Sequence, residues 1–210
     1  MLVKYDVGGV AQWARAATCA LPMGSEFLSV AVGPSDEIVA SGYIGQNAPF
    51  GFGNGVSVAG SGGGNVLLVK YNSSADAQWA RSNTSGSLGA QFSGATVGSN
   101  GNIYCVGYLF GEYGFGNGVT VANSSSYSNI LLVEYDSAGG AQWGARTVTQ
   151  TETVGHVGGT GPVYFNAVAI DSSGDLHVTG SLATWASCDF GDGVTANGFG
   201  DTGAVLLVKY

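Results

Sequence analysis

The chain has 210 residues, with six Lys or Arg against 14 Asp or Glu, for a formal charge of −8. Such an acidic surface repels phosphate backbones and anionic lipid alike, and no apolar run approaches the roughly 20 residues of a spanning helix, which argues against nucleic acid and against membrane insertion. Thirty-seven Gly with abundant Ser, Thr and Val, few helix formers and enough length for a real core indicate an all-β fold.

The chain opens on Leu2-Val-Lys-Tyr5 followed by Ala11-Gln-Trp-Ala-Arg15, and this pair of phrases returns as Leu67 to Tyr71 with Ala77 to Arg81 and as Leu131 to Tyr135 with Ala141 to Arg146. Its first half returns again at Leu206 to Tyr210. Trp13, Trp79 and Trp143 are 66 and 64 residues apart, so a unit of about 65 residues is repeated in tandem. The start shows neither a charged leader region nor an apolar one; the expectation is that a signal peptide has been removed or that the chain is a slice of something longer.

Each unit contains further landmarks in fixed order. Phe27 to Val32 precedes Glu37 to Tyr43, Phe92 to Val97 precedes Asn102 to Tyr108, and Phe165 to Ile170 precedes Asp175 to Gly180. Small and β-branched residues on either side of a Gly-containing turn predict an antiparallel hairpin. Phe52 to Val58, Phe115 to Val121 and Phe190 to Thr195 then carry Asn-Gly or Asp-Gly between short β segments, where a tight turn needs positive φ at both central residues. A final hairpin joins the two opening phrases across Asn72 to Asp76 or Asp136 to Gly140.

Four main strands, A to D, and a short extra hairpin thus make one unit, and four antiparallel strands in meander order are one propeller blade. The expected fold is an all-β β-propeller-type tandem repeat with about three blades, divided into a half blade of strands C and D (1–18), a first unit (19–81), a second (82–146) and a third lacking its last strand (147–210). The Leu-Leu-Val-Lys-Tyr phrase is apolar at consecutive positions, as suits a strand covered on both faces. Trp13, Trp79, Trp143, Phe27, Phe92 and Phe165 are expected to fill the space between blades, each ring worth about 2 to 3 kcal/mol when buried.

The pattern of Phe165 to Gly180, with Asp171-Ser-Ser-Gly-Asp175 between its strands, and the Val-Leu-Leu-Val-Lys-Tyr hairpin to Ala-Gln-Trp-Ala-Arg resemble the bacterial β-propeller repeats called SBBP repeats. The long variety with a Phe-Gly-Asn-Gly-Val insert is nearest, and the resemblance covers essentially the whole chain. It implies a secreted or cell-surface location and no particular reaction.

Strand C occurs once too often for a simple ring, at Leu2, Val3 and Tyr5 and again at Leu206, Leu207, Val208 and Tyr210. These strands are therefore expected to support assembly, either with further repeats of a longer chain or with copies of itself, into a ring or a head-to-tail fibre. No enzyme and no cofactor are expected, because Ser is abundant without a positioned His and the carboxylates sit in turns. His177 takes the place of Tyr104 and is expected to pack in a strand, while His156 has no metal ligand at useful spacing. Asp171, Asp175, Asp189 and Asp192 suit turn formation better than calcium, since sibling units replace two of them by Gly or Asn. Arg15, Arg81 and Arg146 beside the Trp residues are expected to stack or pair within their own blade.

Cys19, Cys105 and Cys188 occupy different places in the unit; a Cys19 to Cys188 bridge is open, and free thiols with Cys105 in the core are favoured. Asn72, Asn83 and Asn123 match the glycosylation acceptor pattern weakly. The alternative function is a binding module, a lectin or adhesin, in which Trp185, Tyr113 and Tyr127 on variable loops stack on carbohydrate.

Overall fold

A computed structural model describes residues 1–20, 24–45, 48–122, 127–145, 149–152 (backbone alone), 162–184, 186–198 and 203–210. Arg146, His156, Trp185, Asn123 and most of the connector from Thr147 lie outside them. The fold is all-β, every strand pairing is antiparallel, and the described residues include no helix.

A leading hairpin pairs β1 (Leu2–Tyr5) with β2 (Ala11–Arg15). The first unit runs through β3 (Thr18–Cys19), β4 (Ser25–Val32), β5 (Ile38–Gly45), β6 (Pro49–Gly53), β7 (Val56–Ala59), β8 (Gly64–Tyr71) and β9 (Ala77–Arg81). Next come β10 (Ala90–Val97), β11 (Ile103–Leu109), β12 (Glu112–Gly116), β13 (Val119–Ala122), β14 (Asn129–Tyr135) and β15 (Ala141–Ala145). The last unit holds β16 (Thr149–Glu152), β17 (Val163–Ile170), β18 (Leu176–Leu182), β19 (Ala186–Asp189), β20 (Thr195–Asn197) and β21 (Ala204–Lys209).

Three main sheets result, with orders β4-β5-β8-β9, β10-β11-β14-β15 and β17-β18-β21. The inserts form small sheets of their own, β3-β6-β7, β12-β13 and β16-β19-β20. The three main sheets share register in detail. A bulge follows Phe27, Phe92 and Phe165, and opposite it the next strand carries Gly42, Gly107 and Gly180. A Cβ on Gly107 would lie 2.0 Å from the carbonyl oxygen of Gln91, and the other two glycines meet the same obstacle, so the bulge and the glycine require each other.

The insert turns adopt the expected backbone. Asn54 and Gly55, Asn117 and Gly118, and Asp192 and Gly193 all have positive φ, between 51° and 78°. The connecting turns are built by Asx side chains: Asp136 Oδ1 accepts from the amides of Ala138 and Gly140, as Asp6 and Asn72 do in their own turns.

The core lies between sheets. Every residue of β14 is buried, because Leu131 and Val133 face the first sheet while Ile130 and Leu132 face the third. Phe92 and Phe165 are fully buried and Phe27 is half-buried; each sits near the Phe of its own insert, Phe115, Phe190 and Phe52, at 6.2 to 6.3 Å between ring centroids. The three Trp residues are less buried than the expected core role implies. They stand on outer strands; Trp13 and Trp79 are half-buried and pack against the margins of the core, and Trp143, 39% exposed, meets Tyr104 of its own sheet at 6.5 Å between ring centroids.

Candidate functional site

The groups that recur with the same geometry lie at the seams. Trp79 and Arg81 project from β9 onto the turn that follows β14 in the next sheet. Arg81 donates through Nε to Gly139 O at 2.8 Å and through Nη2 to Ala138 O at 3.0 Å, and Trp79 Nε1 donates to Ser137 O at 3.3 Å. The guanidinium also lies 5.2 Å from the Trp79 ring centroid, which restricts its rotamers before it meets the turn. Arg15 repeats this one seam earlier, donating to Ala75 O at 2.9 Å and Ser74 O at 3.5 Å, with its guanidinium 5.8 Å from Trp13. The Arg residues therefore stack within their own unit but bond across to the next one. A planar fork of N–H donors suits paired turn carbonyls in a way a Lys would not.

Charge marks the register inside each sheet. Lys70 Nζ lies 3.8 Å from Glu37, Asn102 donates to Glu134 at 2.6 Å, and Lys209 Nζ lies 2.6 Å from Asp175, all at one equivalent position. Lys4 holds that position in β1 and makes no ion pair among the described residues.

Two faces of the stack are open. On β4, Val30 is 55% and Val32 64% exposed, although the equivalent Ala95 and Val97, and Val168 and Ile170, are covered by the preceding sheet. A groove of about 460 Å³ runs beside them, walled by Leu2, Val3, Lys4 and Trp13 and floored by Val30, Val32 and Ile38. At the other end, Val205 is 93% and Leu207 71% exposed on β21, whereas the equivalent Val66 and Leu68, and Ile130 and Leu132, are fully buried.

The loop aromatics are not brought together. Tyr113 is fully buried; its hydroxyl donates to Gly64 O at 3.2 Å and accepts from the amide of Gly89, so it ties the second insert to the first sheet. Tyr127 is 39% exposed, and Trp185 lies outside the described residues. His177 is half-buried, not enclosed in a strand core as expected: Nε2 lies 3.0 Å from Asp171 Oδ2. That contact first, and the amides of Asp175 and Ser173 after it, hold the Asp171 carboxyl down at about 2. Among the described residues no three His, Cys, Asp or Glu side chains gather into a metal-binding group.

All three cysteines are free, with Cys105 and Cys188 buried; burial raises both thiols, Cys188 to about 12. Asn83 is buried and its amide donates to Ser61 Oγ, Asn65 Oδ1 and Ser85 O, so in the folded chain it is a structural residue out of reach of glycosylation. This Asn65 and Asn83 network, which also accepts from the amides of Ser61, Gly62 and Val66, was not anticipated. Its one sequence signal is the Asn that stands before the apolar strand phrase at both Asn65 and Asn129.

No family model matches the chain. No curated protein matches it either.

Proposed function

We propose that the chain is a non-enzymatic structural protein of the extracellular or cell-surface kind, as the SBBP resemblance implies. Its sheets act as β-propeller-type blades and assemble through the outermost ones, with copies of itself or with further repeats of a longer chain, into a ring or head-to-tail fibre. One observation carries this reading. The chain builds the same seam twice, between first and second sheets and between second and third, and exposes the two unlike halves of that seam at opposite ends. An interface whose halves differ and lie on opposite sides is heterologous, so association either closes by rotation or propagates. Adjacent exposed valines and leucines at sheet edges favour burial against a partner.

The lectin or adhesin alternative draws less from the geometry, because Tyr113 is committed to the core. The test is native mass and shape across concentration, by light scattering coupled to size exclusion and by electron microscopy of undiluted material. Rings or filaments of defined subunit spacing are expected. A monodisperse monomer at high concentration overturns the assembly reading.

A further inference from the structure

The open groove and the unpartnered edge of β1 have the shape of a strand position that is filled elsewhere in the chain. In each main sheet the strand equivalent to β1 is bonded on its inner edge: β8 by β5, β14 by β11 and β21 by β18. Among the described residues β1 is bonded by β2 alone, in the register that β8 shares with β9: Leu2 pairs with Arg15, Val3 with Ala14 and Lys4 with Trp13, as Leu68, Val69 and Lys70 pair with Arg81, Ala80 and Trp79. At the other end of the chain, β21 is bonded by β18 but lacks the outer neighbour that β9 and β15 provide in their sheets. The last four residues of that strand phrase, Leu207-Val-Lys-Tyr210, are identical to Leu2-Val-Lys-Tyr5.

Resting on the assembly reading above, we propose that two copies of this chain join by strand exchange: the β1–β2 hairpin of one copy displaces β21 of another and completes the sheet as β17-β18-β1-β2. Four unsatisfied features are then met at once. Lys4 replaces Lys209 beside the acceptor's Asp175, the one carboxylate positioned for it by the shared register. Tyr5, 61% exposed, takes the place of Tyr210 at the edge of Phe165. The hairpin turn from Asp6 to Val10 arrives under the acceptor's Trp143, as the turn at Ser137 lies under Trp79. Finally, the acceptor's β17 and β18 fill the groove over Val30 and Val32, with His177 and Thr179 on the side where β11 presents Tyr104 and Val106 to Val168 and Ile170. Backbone hydrogen bonds supply the attachment, and side-chain register supplies the specificity, as in other strand-addition complexes. Simple stacking of β21 on the next copy would leave the groove empty and Lys4 unpaired.

The register dictates the experiment. Transfer of the β18 to β21 pairing puts Lys4 of one copy opposite His177 of the other, positions that lie in separate sheets of a single chain. In a Cys19→Ser background, Lys4→Cys with His177→Cys should give, on mild oxidation, a ladder of disulfide-linked oligomers on a non-reducing gel, with neither single variant doing so. A second variant ending after Gly203 removes β21 and should assemble at least tenfold more readily than the full chain, because nothing has to be displaced. A full chain that assembles without forming the ladder, or whose assembly is abolished by removing β21, overturns strand exchange and leaves assembly by face stacking. A full chain that stays monomeric overturns the assembly reading, and strand exchange with it.

Discussion

Arg81 donates to the carbonyl of Gly139 at 2.8 Å across the seam between the first and second sheets, as Arg15 donates to Ala75 O at 2.9 Å one seam earlier. Gly139 has φ near +80°, and a Cβ there would lie 3.0 Å from both Arg81 Nε and the Trp79 ring. Ala75 holds the equivalent place with φ of 62°, so what the two clamps share is a left-handed turn residue whose carbonyl faces the guanidinium. The recurrence of Trp-x-Arg in the chain is thus a recurrence of contact between neighbouring units.

Arg81→Ala is expected to cost about 1 to 2 kcal/mol, because two charge-assisted bonds are lost at a partly exposed site. Arg81→Lys should recover less than half of that, lacking the fork. Gly139→Ala should cost at least about 1 kcal/mol through its positive φ alone. Urea unfolding monitored by Trp fluorescence measures all three; an Arg81→Ala midpoint equal to the parent's would remove the clamp from any role in holding sheets together.

Two buried tyrosines make a matched contrast. Tyr113 has its hydroxyl bonded to Gly64 O and Gly89 N, whereas the hydroxyl of Tyr135 is buried without a partner among the described residues, as are those of Tyr71 and Tyr210. Tyr113→Phe should destabilise by about 1 kcal/mol, since it leaves a part-buried carbonyl and amide without their partner. Tyr135→Phe should be neutral or stabilising by up to about 1 kcal/mol, since it deletes a desolvated hydroxyl that gains nothing. A loss in Tyr135→Phe as large as in Tyr113→Phe would mean that an internal water satisfies the Tyr135 hydroxyl, and a high-resolution structure would display it.

Much of the fold is written in local terms and was legible for that reason. Asn-Gly at 54–55 and 117–118 determines a turn from two residues, and the unbroken apolar run of β14 announces burial on both faces. The seam was less legible. Trp79 and Arg81 look like core and partner within one unit, but their bonds go to residues 57 and 58 positions away. Tyr113 sits in a segment that reads as a variable loop, yet it is buried because Gly64 and Gly89 come from outside its own hairpin. His177 aligns with Tyr104, but Asp171 stands where the second unit has Gly98 and bonds the ring, and among the described residues no further sheet covers this face as the third sheet covers Tyr104. Repetition identifies equivalent positions; it does not say which unit a side chain leans on.

The thiols should separate by accessibility. Burial raises the Cys105 and Cys188 thiols, so both stay protonated at neutral pH, and neither is reached from solvent. Cys19 is partly exposed on β3. Alkylation of the native chain with a maleimide at pH 7 is expected to label one cysteine per chain, at Cys19, and all three in denaturant. Mass spectrometry of peptides reads the sites. Rapid native labelling of Cys105 would contradict the packing of Leu131 and Val133 around it.

The third sheet carries its own acid sensitivity. The Asp171 carboxyl is lowered from 3.8 to about 2 in the folded chain, chiefly by the His177 contact and then by the amides of Asp175 and Ser173. A depressed carboxylate contributes stability that is fully present above its unfolded pKa, near 4, and is lost as pH falls through about 2. Urea midpoints measured from pH 6 to pH 2 should therefore decline in the last two units, and Asp171→Asn should flatten that decline while leaving the midpoint at pH 6 lower than the parent's. Both side chains are solvent-exposed in part, so the change is small and the sharper readout is the Asp171 carboxyl resonance followed by NMR. Its midpoint should lie near 2 in the parent and rise toward the ordinary value in His177→Ala. A native midpoint close to 4 in the parent would show that the Asp171 and His177 contact does not hold the turn before β18.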